Sequence, residues 1–328
     1  MNARFIAAAL ALLLAAGTLG AQEAQTVLAP DSTLYTVAAG KNVLELTRRN
    51  GDTRETRAIP GTEDPAVETH PRLAYDTKND TLFVVWHRAF DNGDAILLSS
   101  LNAKNEWSEP LIVASGAGTR AGLQLVLTHV RGTDFEEPDT TLLNVAWWTL
   151  GGTSTPEFAI VAFENRKHVS TYVDNLVELA NIKETEGQNE IEDTGDVVHP
   201  PLTMTKFEGG VDVVFGRDYS TALTRLRVEP RKVAGNARMW RPVGRTGQSI
   251  GPARLVASDS DPVQAFISKG RVVLYTPDSK FRFIVYDNGK WMPIRVIELD
   301  ESLTSAELVQ QLRRTVDEMM SPATTQEE

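Results

Sequence analysis

Short apolar runs rich in Val, Ile, Leu, Phe and Tyr recur along most of the chain, cut at close intervals by Asn-Gly, Lys-Gly, Gly-Gly and Asp-rich turns. This is the pattern of short strands joined by tight hairpins. It is clearest over residues 70–115, where it predicts strands at 72–76, 81–88, 94–101 and 109–114. "DTKNDT", "FEGG" and "SKG" fall where a hairpin should join a first strand to a second, and "DNGDA" and "DNGKW" are similar signals.

The pattern repeats. Strands ending in an aromatic residue close at Trp86, Trp147, Phe215 and Tyr275, which are 61, 68 and 60 residues apart. A weaker equivalent closes at Tyr35, 51 residues before Trp86. His70-Pro71, His199-Pro200 and Asp261-Pro262 precede three of these strands, and Trp107, Trp240 and Trp291, each with a proline two or three residues on, follow them. Tandem units of about four strands predict an all-β fold, a β-propeller of about five four-stranded blades, with six as the alternative. One such sheet cannot cover its own faces, so successive units pack face to face. The units are expected over roughly 25–66, 67–118, 119–195, 196–258 and 259–300, so that 25–300 is the propeller. The third carries a loop, "RGTDFEEPDT", and is followed by a polar insertion, "LANIKETEGQNEIEDTGD".

The tail changes period. Thr304 and Glu307 have capping-box spacing, and Leu308, Leu312, Val316 and Met319 recur at helical intervals. An amphipathic α-helix is expected within 301–328, docked on the propeller's rim or offering residues 305–320 to a partner. At the other end, Arg4 precedes an Ala/Leu run and small residues to Ala21, the pattern of a signal peptide (1–21) cleaved after Ala21. The expectation is a secreted or periplasmic protein with no membrane span. A formal net charge of −11 argues against nucleic acid as a partner. The absence of cysteine removes thiol catalysis and thiolate metal sites.

The stretch from His70 to Ala114 resembles the repeat of sialidase-like propellers, the superfamily with Asp-box (BNR) repeats. In that family the box reads Ser-x-Asp-x-Gly-x-x-Trp. The matching positions here are Ser100, Asn102, Lys104 and Trp107, so Asp has become Asn and Gly has become Lys. The last unit offers a shortened form, from Asp287 to Trp291, without the Ser. The resemblance implies the fold. The family's arginine triad, Tyr–Glu nucleophile and acid/base Asp have no match in this chain, so no catalytic residue is carried over.

Propeller geometry nonetheless says where a ligand would sit. Starts of innermost strands and ends of second strands share one face of the disc, around the axial mouth. His70, His199 and Asp261 occupy the first kind of position. His87, Arg88, Arg217, Asp218, Tyr219 and Asp278 occupy the second. The arginines can fork onto carboxylate or phosphate oxygens, or bridge neighbouring blades. The histidines can contact a ligand, or cap turns through backbone carbonyls. Alternation turns Trp148 to the side opposite Trp147, where exposure would let it stack on a sugar or peptide. No metal set, nucleotide fingerprint or cofactor motif is present. The expectation is an exported, non-catalytic recognition or scaffold module with a glycan, peptide or protein ligand in a bacterial envelope. The alternative is a glycan-active hydrolase or lyase working at the axial mouth, with Asp218, Asp261 and Asp278 as the nearest carboxyl groups.

Overall fold

The computed structural model describes residues 25–39, 43–62, 68–91, 93–131, 139–150, 154–180, 201–216, 222–234, 236–245, 247–252, 264–276, 280–298 and 305–320. They form five antiparallel sheets in chain order, the arrangement of a five-bladed β-propeller. Blade 1 is β1 (Gln25–Leu28), β2 (Leu34–Ala39), β3 (Leu44–Asn50) and β4 (Thr53–Ala58). Blade 2 is β5 (Glu68–Asp76), β6 (Thr81–Phe90), β7 (Gly93–Leu101) and β8 (Leu111–Gly116), matching the four strands expected there. Blade 3 is β9 (Thr119–Val130), β10 (Thr140–Leu150), β11 (Thr155–Glu164) and β12 (Lys167–Asn175). A single helical turn, α1 (Leu176–Leu179), follows it.

In the last two blades the fourth position is shared by two short strands. Blade 4 is β13 (Leu202–Phe207), β14 (Gly210–Gly216) and β15 (Ala222–Val233), with β16 (Asn236–Gly244) and β17 (Gln248–Pro252) both paired to β15. Blade 5 is β18 (Gln264–Ser268), β19 (Arg271–Thr276) and β20 (Lys280–Asp287), with β21 (Lys290–Trp291) and β22 (Arg295–Glu298) both on β20. The recurring Trp has its explanation here. Trp107, Trp240 and Trp291 each pair with the third strand of their blade, at Leu101, Lys232 and Tyr286. In blades 2 and 5 a proline follows before the outer strand resumes, because proline cannot donate to the ladder. The degenerate box of blade 2 still makes its turn, with Asn102 Oδ1 accepting from the N–H groups of Lys104 (2.8 Å) and Glu106 (3.1 Å).

Blades 2, 3 and 4 each bury one face against the blade before and the other against the blade after. Val37, Leu46, Leu82, Val84 and Trp86 fill the seam between blades 1 and 2. Phe83, Val85, Val145, Trp147 and Val161 fill the next, and Trp148, Phe158, Val213, Phe215 and Trp240 the third. Val214, Leu223, Val272 and Ile284 fill the seam between blades 4 and 5. The far face of blade 5 is covered differently. There Phe266, Val273, Tyr275, Phe283 and Val285 pack on Leu312 and Val316 of α2 (Ser305–Met319). The helix therefore lies on a blade face, not on the rim, and its buried stripe faces this chain's own blade. Met319, expected in that stripe, is 45% exposed, and Met320 packs in its place. No helix among the described residues is long and apolar enough to cross a membrane.

Candidate functional site at the mouth of blades 2 and 3

The innermost strand β5 is irregular where it begins. Its pairing with β6 slips between Thr69 and Arg72, and His70 sits in the slip with φ of +51°. A non-glycine residue in the left-handed region carries strain, and a bulge re-aims the side chain it holds. The His70 side chain is exposed, and its ring centroid lies 6.3 Å from that of His87. His87 is at the end of β6, on the face that also carries Phe83 and Val85, so its ring enters the seam toward blade 3. His70 and His87 thus lie together at one end of blade 2, and His87 is only 5% exposed.

Inside the seam, His87 Nε2 lies 2.8 Å from Oδ2 of buried Asp94, the second residue of β7. The same oxygen accepts the backbone N–H of Arg120 at 2.8 Å. Because that carboxylate oxygen accepts, His87 Nε2 carries the proton and the imidazole orientation is fixed. The Arg120 guanidinium donates to the Asp94 carbonyl and to the Gly116 carbonyl, the latter at 3.3 Å. Its Nε is buried without a hydrogen-bond partner among the described residues. Burial lowers the pKa of His87 below 6.5, and the charge of Arg120 acts in the same sense, against the opposing pull of Asp94. Burial also lowers that of Arg120, with Glu157 and Asp94 opposing. Glu157, at the start of β11, accepts from Trp147 Nε1 at 2.6 Å and Thr149 Oγ1 at 2.8 Å. Asp94, Arg120 and Glu157 therefore join the two histidines at this end of the seam. Asp94 lies inside a segment read as a hairpin turn, Arg120 at the start of β9 in the stretch GAGTRAG, and Glu157 near no landmark, so only their shared strand-end position could have marked them.

Arg88 points the other way. It faces the seam with blade 1, donates to the Gly61 carbonyl, and lies 5.8 Å over the Phe90 ring. This contact joins blade 2 to the segment that follows blade 1 through a backbone carbonyl, where a salt bridge between blades was one expectation. Trp148 is a correction: it is fully buried between blades 3 and 4, because a blade with neighbours on both sides has no outward face for a mid-strand residue. His199, Arg217, Asp218, Tyr219, Asp261 and Asp278 lie outside the described residues. Among the described residues no cluster of His, Asp and Glu is arranged to hold a metal ion.

The opposite end of the same seam holds a second polar cluster. Asp76 is fully buried and accepts from Thr141 Oγ1 (2.6 Å) and Asn79 Nδ2 (2.8 Å), with His129 Nε2 at 2.8 Å. Burial alone would raise its pKa; the hydrogen bonds from Thr141, Asn79 and His129 prevail and lower it to about 2. This cluster ties the first hairpin of blade 2 to blade 3.

No family model and no curated protein matches the chain. Its fold resembles those of several solved structures. One is a thermostable family-43 glycoside hydrolase, at 11% identity over 88% of this chain and 96% of the other, with a TM-score of 0.40. A second is an α-L-arabinanase of Penicillium chrysogenum complexed with arabinobiose, at 11% identity, 85% and 81% coverage, and a TM-score of 0.46. A third is the Hadza microbial sialidase Hz136, at 11% identity over 84% of this chain and 58% of that one, with a TM-score of 0.42. The likeness is one of fold alone.

Proposed function

We propose that this protein acts on glycan chains at the mouth of blades 2 and 3, with His70 as the group that exchanges a proton with the sugar. One observation carries the reading: an exposed histidine, held in a strained backbone conformation, lies against a buried His–Asp pair at the propeller's mouth. His87, fixed by Asp94 and kept neutral by burial, positions the His70 ring without competing for its proton. An imidazole in this setting can serve hydrolysis or elimination. The reading goes with export, in keeping with the leader expected over residues 1–21.

Incubation with a panel of neutral and uronic-acid polysaccharides tests it, with new reducing ends and unsaturated sugar ends as separate readouts. Turnover of at least one substrate is expected, falling about 10²–10⁴-fold in His70→Ala. Turnover untouched by that change would remove His70 from the chemistry. A second reading, recognition without turnover, is favoured by the state of the carboxyl groups. Asp94 and Glu157 both already accept hydrogen bonds within the fold, so neither is poised as a hydrolytic nucleophile. Binding that depends on His70 with no change in the glycan would select this reading.

A further inference from the structure

Blade 4 carries charge of the sign opposite to that of the whole chain. From Arg225 to Arg245 there are seven basic residues, with Glu229 the one acid, in a chain of 33 basic and 44 acidic residues. The pairing of β15 with β16 decides where they point. Leu226, Val228 and Trp240 turn into the seam with blade 3, and alternate residues turn to the other side. There Arg231 is the cross-strand partner of Arg241, and Glu229 that of Val243. One step further along, the Arg245 N–H bonds the Arg227 carbonyl at 2.9 Å. Four arginines thus stand at the corners of a two-strand patch, and all four are exposed. Arg227 lies 5.2 Å over the Phe207 ring. Glu229 is shared by Arg231, at 3.5 Å, and Arg245, whose side chains stay 63% and 65% exposed. Among the described residues no other carboxylate pairs with any of the four, so the patch keeps a positive excess.

We infer that this patch is a docking surface for an acidic polysaccharide, a chain bearing uronic carboxylates, away from the mouth. Like charges set directly opposite on paired strands repel, as Arg231 and Arg241 do, and a bound anion relieves that repulsion. Guanidinium groups fork onto carboxylates, and Glu229 already shows the contact within the patch, one carboxylate held by two of these arginines. The pairs Arg227–Arg245 and Arg231–Arg241 lie about 13 Å apart along the strands. That spacing suits separate charges along a chain more than one compact anion. A nucleic acid, with one charge per about 1.7 Å of duplex, would press far more negative charge against an acidic protein than four arginines offset. The patch lies toward the end of β15 away from Leu223, which pairs with Gly216 at the mouth end of β14. That the bound chain is a glycan rests on the function proposed above; that it is a sparsely charged polyanion rests on the patch alone.

Native electrophoresis of the full chain through gels containing polygalacturonate, with neutral dextran as control, tests the assignment. Retardation is expected in the first gel and not in the second, and it should decline with added salt. Arg231→Gln combined with Arg241→Gln should weaken the apparent Kd about tenfold or more. His70→Ala should leave it unchanged. If the double variant fails to fold, Arg241→Gln alone decides. Absence of retardation by polygalacturonate, equal retardation by dextran, or retardation that survives loss of the arginines would each overturn the assignment. Loss of retardation in His70→Ala would also overturn it, placing the polyuronate at the mouth. Binding of single-stranded DNA through the same arginines, without polygalacturonate, would overturn the choice of a glycan. Retardation that stands while no glycan is turned over would support this surface and count against the chemistry given to His70.

Discussion

Asp76 and His87 are buried titratable groups whose pKa values both fall on folding, for different reasons. Asp76 is held down by the hydrogen bonds it accepts, which outweigh its burial. Its folded state binds its proton less tightly than the unfolded chain does. The stabilisation is therefore complete above the ordinary value of 3.8 and is lost as pH falls toward about 2. Asp76→Asn should flatten the dependence of the urea midpoint on pH in this acid window and cost about 1–3 kcal/mol at neutral pH, where donors lose their acceptor. His87 is held down by burial itself. Its contribution is complete above 6.5 and declines as pH drops below that value, since protonation then favours the unfolded chain. His87→Gln should remove that part of the pH dependence, measured by the same unfolding series below neutrality. Of the residues at this end of the seam between blades 2 and 3, His70 and His87 were legible because a repeat marks equivalent strand ends. Asp94, Arg120 and Glu157 were not, because strand-end position acquires chemical meaning only when two blades meet.

Among the elements, α2 departs most from its expected place. Its helical period was readable, and so was the stripe of Leu312 and Val316, while the cap expected at Thr304 lies outside the described residues. What that stripe covers was not, because an amphipathic helix specifies only that one face is to be buried. It covers the far face of blade 5, where Arg313 lies 4.8 Å over the Phe266 ring and Asp317 bonds Ser268 and Lys269. Leu312 and Val316 are fully buried there. Leu312→Ala should cost about 2–5 kcal/mol in chemical denaturation. Removing residues 305–328 should produce binding of a hydrophobic dye, as the apolar face of blade 5 comes into water. If the truncated chain keeps the midpoint and dye response of the whole one, the helix is not a structural cover.

At the scale of the molecule, four apolar seams join the blades among the described residues, and the remaining faces of blades 1 and 5 differ in kind. The far face of blade 5 needs its helix. The outer face of blade 1 is polar: Thr26, Thr36, Thr47 and Thr56 are cross-strand partners in one row over all four strands, with Thr26 and Thr36 hydroxyls 3.2 Å apart. Blade 5 thus carries a docked helix on that face, and blade 1 a row of hydrogen-bonding side chains. The seam between blades 4 and 5 also contains an ion pair, Arg225 Nε donating to both oxygens of buried Asp212 at 3.0 and 2.9 Å. Arg225→Met leaves that carboxylate buried and unpaired and should cost about 3–5 kcal/mol. Equilibrium unfolding measures this, and Asp212→Asn combined with Arg225→Met should recover part of the loss.

An all-β repeat of about four strands a unit and the existence of a terminal helix were determined by the sequence alone; the choice of five blades over six came with the five sheets. Local turn chemistry and the two-residue period of a strand are properties of neighbours in the chain, and repetition multiplies their signal. The burial of Trp148, the turning of Arg88 away from His87 and the Asp94–His87–Arg120 cluster were decided by tertiary structure. Each depends on which blade faces which side of a strand, and in a blade covered on both faces the alternation along the strand no longer separates inside from outside.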